Sequence, residues 1–297
     1  MHYPISPKRY PWPEDRRLAL SIVVNVEEGA EGNILDGDKY PEPVDEMGIA
    51  LKRTIRNLGN ESNYQYGLNR GAPRVLRLLE HYGLTATFTA CALALERAPA
   101  LVEEILRQNH EVTSHGYRWS HQFLMSEDEE RDYIQHATRS IEQTTGVRPQ
   151  GWLSRYLTTD NTRRLLIEAG YRYHMDDLSD DEPFWDHHEG KPIVVLPYQV
   201  DNNDMKMWSD KAHSPDDWLK YAIDTFDWLL REGENEVNVM SIGLHLRIIG
   251  RPGRIWALEK FFEHVARARD QANGPWITSR LAIAEHFAEQ VPFELKN

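Results

Sequence analysis

Residues 18–26 read Leu-Ala-Leu-Ser-Ile-Val-Val-Asn-Val and run directly into Glu27-Glu28-Gly29. Apolar side chains fall on both parities of this run, so neither face is left for water. A strand of that kind belongs to a parallel sheet covered by helices rather than to a half-wet antiparallel one. Outward from it, short β-branched or aromatic runs recur at 84–90, 111–114, 151–154, 171–175, 193–197, 239–244 and 276–278. Helical patterns lie between them. Val75, Leu78, Leu79 and Tyr82 share one face of a helix over 72–82, with Gly83 as its stop. Proline opens a helix at Pro99, and Ser126-Glu-Asp-Glu129 is a capping box for one reaching Thr145. Further helices are expected at 160–169, 216–231, 255–269 and 281–290.

This alternation implies parallel pairing through right-handed crossovers. About eight strands and seven helices in 297 residues favour a barrel in one domain spanning 1–297. Catalytic groups should then stand at the carboxyl ends of the strands. The stretch 29–70 carries no clear periodicity and reads as an irregular segment at the rim, suited to covering the site or to assembly.

Charge and composition narrow the function. With 34 Lys+Arg against 47 Asp+Glu the formal net charge is −13. Such a chain lacks the basic face that nucleic acid or an anionic membrane requires. Cys91 stands alone, which excludes an internal disulfide and a multi-cysteine zinc site, and it reads as a small buried hydrophobe. The proline-rich start (Pro4, Pro7, Pro11, Pro13) does not resemble a signal peptide, and no run is long and apolar enough to span a bilayer. A cytoplasmic location is expected.

Four polar clusters end expected strands. They are Asn25-Val26-Glu27-Glu28-Gly29; Ser114-His115-Gly116-Tyr117-Arg118-Trp119; Trp152-Leu153-Ser154-Arg155 with Asp176-Asp177; and Gly243-Leu244-His245-Leu246-Arg247, continuing to Arg254. Adjacent glutamates in a dry site favour a raised carboxyl pKa at Glu27, the expected general base.

In this order the clusters resemble the polysaccharide deacetylase superfamily. The resemblance runs from Ala19 to the C-terminus and implies an irregular (β/α)7-type barrel. The superfamily's usual motifs are Thr-Phe-Asp-Asp, His-Ser-x-x-His and Leu-x-His, and its usual metal site takes the second Asp and both histidines of the middle motif. Here Glu27-Glu28 replaces the acidic pair, and Trp119 stands where the second histidine would be. Asn161-Thr-Arg-Arg-Leu165, Asn203-Asp-Met205 and Gly243-Leu-His-Leu-Arg-Ile-Ile-Gly-Arg-Pro252 are similar to the cofactor-independent allantoinases and the cyclic imide hydrolases within that superfamily.

The resemblance implies a hydrolase opening a carbon–nitrogen bond in a small five-membered cyclic amide or imide. It implies no metal or other cofactor, zinc being the ion a rearranged site would take, and a homo-oligomer. Allantoinases carry Gly-Trp-Tyr-Thr-Gly-Arg where this chain has Gly151-Trp-Leu-Ser-Arg-Tyr156, so a hydantoin-like or imide ring is expected over allantoin. The expected catalytic residues are Glu27, His115 and His245. Glu28, Trp119, Trp152, Arg155, Asp176 and Arg247 are expected to bind substrate, with Trp185 adding bulk to the pocket. The alternatives are a metal-dependent deacetylase of amino sugars and a non-catalytic ring-binding protein.

Overall fold

The computed structural model describes residues 10–46, 48–209 and 214–295; the start of the proline-rich stretch, Met1 to Arg9, lies outside them. One curled sheet runs through the chain. Its strands are β1 (Leu18–Val26), β2 (Ala86–Ala90), β3 (Glu111–Ser114), β4 (Gly151–Trp152), β5 (Tyr173–His174), β6 (Phe184–His188), β7 (Lys191–Val195), β8 (Val239–His245) and β9 (Pro275–Ile277). Their order is β6-β7-β5-β4-β3-β2-β1-β8, with β9 also on β1, and every pairing is parallel except β6 with β7. β1 is buried along its whole length between β2 and β8, as its two-faced apolar sequence requires.

Helices cover the outside. Ala72–Tyr82 ends on Gly83 in the left-handed region, and Glu127–Thr145 starts from the Ser126 capping box. Val24, Phe88, Ile242 and Leu258 belong to the main core. Among the described residues no helix is long and apolar enough to cross a membrane.

β6 and the stretch 29–70 depart from the sequence reading, and the short helices Ala92–Arg97 and Leu246–Ile249 were not expected either. β6 was not expected, because Phe-Trp-Asp-His-His has little of a strand's alternation. It forms because Glu189 and Gly190 turn the chain with positive φ angles of 48° and 77°, folding it back onto β7. The stretch 29–70 is also less irregular than expected. It holds a short 3-10 turn, Ile34–Asp36, and a helix, Leu58–Tyr66, capped by Asn57. That helix continues through a π-turn, Gly67–Gly71, into Ala72–Tyr82. Leu-Gly-Asn-Glu-Ser-Asn-Tyr-Gln-Tyr has no apolar stripe, so only packing of the buried Tyr64 and Asn60 makes it helical.

Candidate active site

Register brings the first clusters together. Val26 pairs with Ala90 and Ala90 with Ser114, so Glu27 and His115 leave β1 and β3, on either side of β2, at one level. Asn25 pairs with His245 on the other side of β1. All three expected catalytic side chains therefore meet at the carboxyl ends of β1, β3 and β8, and all are buried.

Glu27 is the hub. Its Oε1 lies 3.4 Å from His115 Nε2 and 3.3 Å from His245 Nε2. Its Oε2 accepts from Arg247 Nη1 at 2.7 Å. His115 Nδ1 donates to the Leu153 carbonyl at 2.6 Å, leaving Nε2 to face Glu27. His245 Nδ1 donates to Asp204 at 2.7 Å, and Asp204 also accepts the amides of His245 and Ile249.

The expected raised pKa belongs to Glu28, not Glu27. Burial pushes the Glu27 carboxyl upward, but Arg247, His245 and His115 outweigh it and hold the group well below the usual range. Glu28 is raised by burial and by Glu27 beside it, with Arg247 opposing. Burial alone would lower His245, yet Glu27 and Asp204 push it up to about 9. At neutral pH the cluster thus holds a carboxylate against an imidazolium and a guanidinium.

Arg247 is fixed from several sides. Its amide donates to Glu28 Oε1 at 3.1 Å, and its guanidinium stacks 4.3 Å from the Tyr64 ring centroid. The short helix carrying it, Leu246–Ile249, presses on the π-turn so closely that a Cβ on Gly71 would lie 2.0 Å from the Leu246 carbonyl oxygen. A Cβ on Gly67 would lie 2.5 Å from Glu28 Oε1. Arg247 Nη2 has no hydrogen-bond partner among the described residues, although it is buried. Such a donor is what a substrate oxygen would satisfy.

The remaining expected residues divide. Trp119 walls the cluster, 5.3 Å from the Arg247 guanidinium. Arg155 stacks on Trp119 at 3.7 Å, but its fork is committed to Glu42 at 2.6 and 3.1 Å, which leaves little of it for substrate. Asp176 accepts the Ser154 amide and hydroxyl at 2.7 and 2.8 Å, and burial pushes its pKa up to about 6. Two tryptophans are corrections to the expected pocket wall. Trp152 packs with Ile134, Leu165 and Tyr171 under the helices. Trp185 donates to the Val291 carbonyl and packs on Phe287 and Phe293. Both are bulky apolar residues near strand ends, and sequence position alone does not say which side of a sheet they face.

Asp204, Tyr64 and Glu42 escaped the sequence reading as site residues. Asp204 was visible only as part of Asn-Asp-Met, with nothing to pair it to His245. Tyr64 and Glu42 come from the segment without periodicity.

The donor set does not fit the superfamily's usual divalent metal. Trp119 offers no ligand atom at the second-histidine position. Both Glu27 oxygens already face cationic or imidazole nitrogens. Among the described residues no group of three His, Cys, Asp or Glu side chains is arranged to hold a metal ion.

Comparison with known proteins agrees with this architecture. The polysaccharide deacetylase family model matches residues 62–174. A Schizosaccharomyces pombe protein named as a polysaccharide deacetylase is 31% identical, over 96% of this chain and 94% of its own. The crystal structure of PuuE allantoinase superposes with a TM-score of 0.89 at 40% identity, covering 95% of this chain and 94% of that one. A Pseudomonas aeruginosa PAO1 structure, also named as a polysaccharide deacetylase, gives 0.89 at 38% identity over 95% of both chains.

Proposed function

This chain belongs to the polysaccharide deacetylase family and is a hydrolase of carbon–nitrogen bonds, and we propose that its substrate is a small five-membered cyclic amide or imide. The observation that carries this reading is the buried, unpartnered Arg247 Nη2 inside a closed cluster of Glu27, His115 and His245. Side chains so deeply enclosed suit a compact ring better than a polymer lying in an open groove. The 40% identity to PuuE allantoinase supports the same class of chemistry.

In this reading a ring carbonyl oxygen accepts from Arg247 Nη2, which stabilises the oxyanion formed on attack. Water is held between Glu27 and His115. The carboxylate is pinned at low pKa, so His115 Nε2 takes the proton and Glu27 balances the charge that develops on the ring. The His245 imidazolium, held by Asp204, gives its proton to the departing ring nitrogen. Reaction without a metal follows from this assignment, because imidazolium and guanidinium supply the positive charge.

The test is purified protein offered succinimide, maleimide, hydantoin, dihydrouracil, allantoin and an acetylated chitin oligomer, before and after dialysis against a strong chelator. Turnover of a cyclic amide, little changed by the chelator and lowered about 10²–10³-fold in Glu27→Gln, which removes the carboxylate that balances the developing charge, is expected. Deacetylation of the oligomer with no ring opening would establish the amino-sugar deacetylase instead.

A further inference from the structure

The π-turn Gly67–Gly71 has glycine at both ends, and neither is there for its backbone. Gly67 has φ −54° and ψ −49°, and Gly71 has φ −65° and ψ −55°, ordinary right-handed helix that any residue adopts. Their missing side chains therefore answer to space. At Gly67 the space is taken by Glu28: a Cβ there would stand 2.5 Å from Oε1, 2.8 Å from Cγ and 2.9 Å from Cδ. At Gly71 it is taken by the Leu246 carbonyl. The π-turn is thus seated against Glu28 at one end and against the helix Leu246–Ile249 at the other. Such turns are uncommon and gather at functional sites.

Glu28 is not free to swing away from an added methyl group. It is fully buried, its Oε2 accepts the Glu27 amide at 3.1 Å, and its Oε1 accepts the Arg247 amide at 3.1 Å. Those amides belong to the residues whose side chains meet at 2.7 Å, Glu27 Oε2 with Arg247 Nη1. Glu27 follows β1 and Arg247 follows β8, so the Glu28 carboxyl is a strut between the chain segments that carry the pair.

We propose that Glu28 is a positioning residue for the reaction assigned to Glu27 and Arg247, and that the π-turn acts on that reaction through Gly67, which keeps the Glu28 carboxyl between the two amides. The contact of Arg247 Nη2 with substrate rests on the function proposed above; the placement of the guanidinium does not. A displaced Glu28 carboxyl lets the segment carrying Arg247 move against Glu27. Nη2 then meets the developing oxyanion out of place, which lowers kcat and leaves KM little changed.

The test compares Gly67→Ala, Glu28→Gln, Glu28→Ala and the double variant Gly67→Ala with Glu28→Ala, all in the full-length protein. kcat and KM are measured on whichever compound of the screen is turned over. Nitrogen-15 resonances of the Arg247 guanidinium are recorded without substrate. Glu28→Gln keeps the shape but turns a donor toward one of the amides. It and Gly67→Ala should each lower kcat about 10–100-fold, with KM little changed and the Arg247 resonances shifted. In the Glu28→Ala background the three atoms nearest the new Cβ are gone, so Gly67→Ala should add neither a further loss of kcat nor a further shift. If Gly67→Ala does not fold, the double variant should regain folding. A screen in which no compound is turned over would count against the proposed function alone, since the resonances still report the guanidinium. Unshifted Arg247 resonances in Gly67→Ala, parent-like kcat, a loss confined to KM, or the same loss from Gly67→Ala with and without Glu28 would each overturn the proposal. So would a double variant that stayed unfolded where Gly67→Ala had failed to fold.

Discussion

Burial by itself would strip the proton from His245, but Glu27 and Asp204 flank the ring and push its pKa up to about 9. A histidine raised above its ordinary value of about 6.5 contributes stability that is complete below that value and is lost as the pH climbs through the folded pKa. The same proton is the one proposed to reach the leaving nitrogen. The alkaline limb of kcat/KM is therefore expected near pH 9, and Asp204→Asn should move it to lower pH. A pH profile of both proteins checks this. If Asp204 merely supported the fold, the variant would melt earlier with the limb unmoved. At this scale the sequence reading named three residues that the structure brings together, each of which directly follows or ends an apolar strand. It assigned the raised carboxyl to the wrong glutamate, because the cation that lowers Glu27 arrives from Arg247, 220 positions along the chain. Arg155 was misjudged for the same reason, its partner Glu42 being 113 residues away.

Contacts of this reach also decide how the segment after β1 is held. Arg97 binds the Gly29 carbonyl and Asp36, Arg118 binds the Glu31 carbonyl and Asp38, and Arg155 binds Glu42. The first two pairs are partly exposed and contribute little each. The Arg155–Glu42 pair is different, with side-chain exposures of 6% and 2%. Removing the carboxylate alone strands a buried guanidinium, which costs about 3–5 kcal/mol, whereas replacing both charges by apolar groups of similar volume is close to neutral. Glu42→Leu should lower the free energy of unfolding in urea by that amount, and Glu42→Leu with Arg155→Met should recover most of it. Equal losses in the single and double variants would show that the cost comes from packing. The long amphipathic helices were legible because their periodicity is local. Leu58–Tyr66 and β6 were not, since a buried tyrosine and a two-residue turn shape them rather than a hydrophobic repeat.

Across the whole molecule, the barrel does not close by strand pairing. β8 has β1 on one side, and on the other the irregular chain after β7 runs past it. Side chains bridge this seam. Gln199 accepts the Ser241 amide and donates to the Val239 carbonyl, and the Asp204 amide donates to the Gly243 carbonyl. Arg280, fully buried at the start of the last helix, reaches across. It donates to Ser241 Oγ on β8 and to the Leu196 and Pro197 carbonyls beyond β7. The strand count and the superfamily resemblance made the barrel legible, but an arginine that ties the chain beyond β7 to β8 gives no pattern to read. Since Asp204 lies on the bridging chain and orients His245, the seam also sets the geometry of the cluster around Glu27. Arg280→Met fills much of the space but leaves two backbone carbonyls and a hydroxyl without their donor, each costing about 1–3 kcal/mol. The variant is expected to lose about 3 kcal/mol or more of stability in urea unfolding. Because the bridging chain then shifts against β8, turnover should fall even at temperatures where the variant remains folded. Arg280→Lys restores a charge but not the fork that spans both edges, and should recover only part of either property. Turnover and unfolding measured on one preparation would refute this role for Arg280 if the methionine variant matched the parent in both.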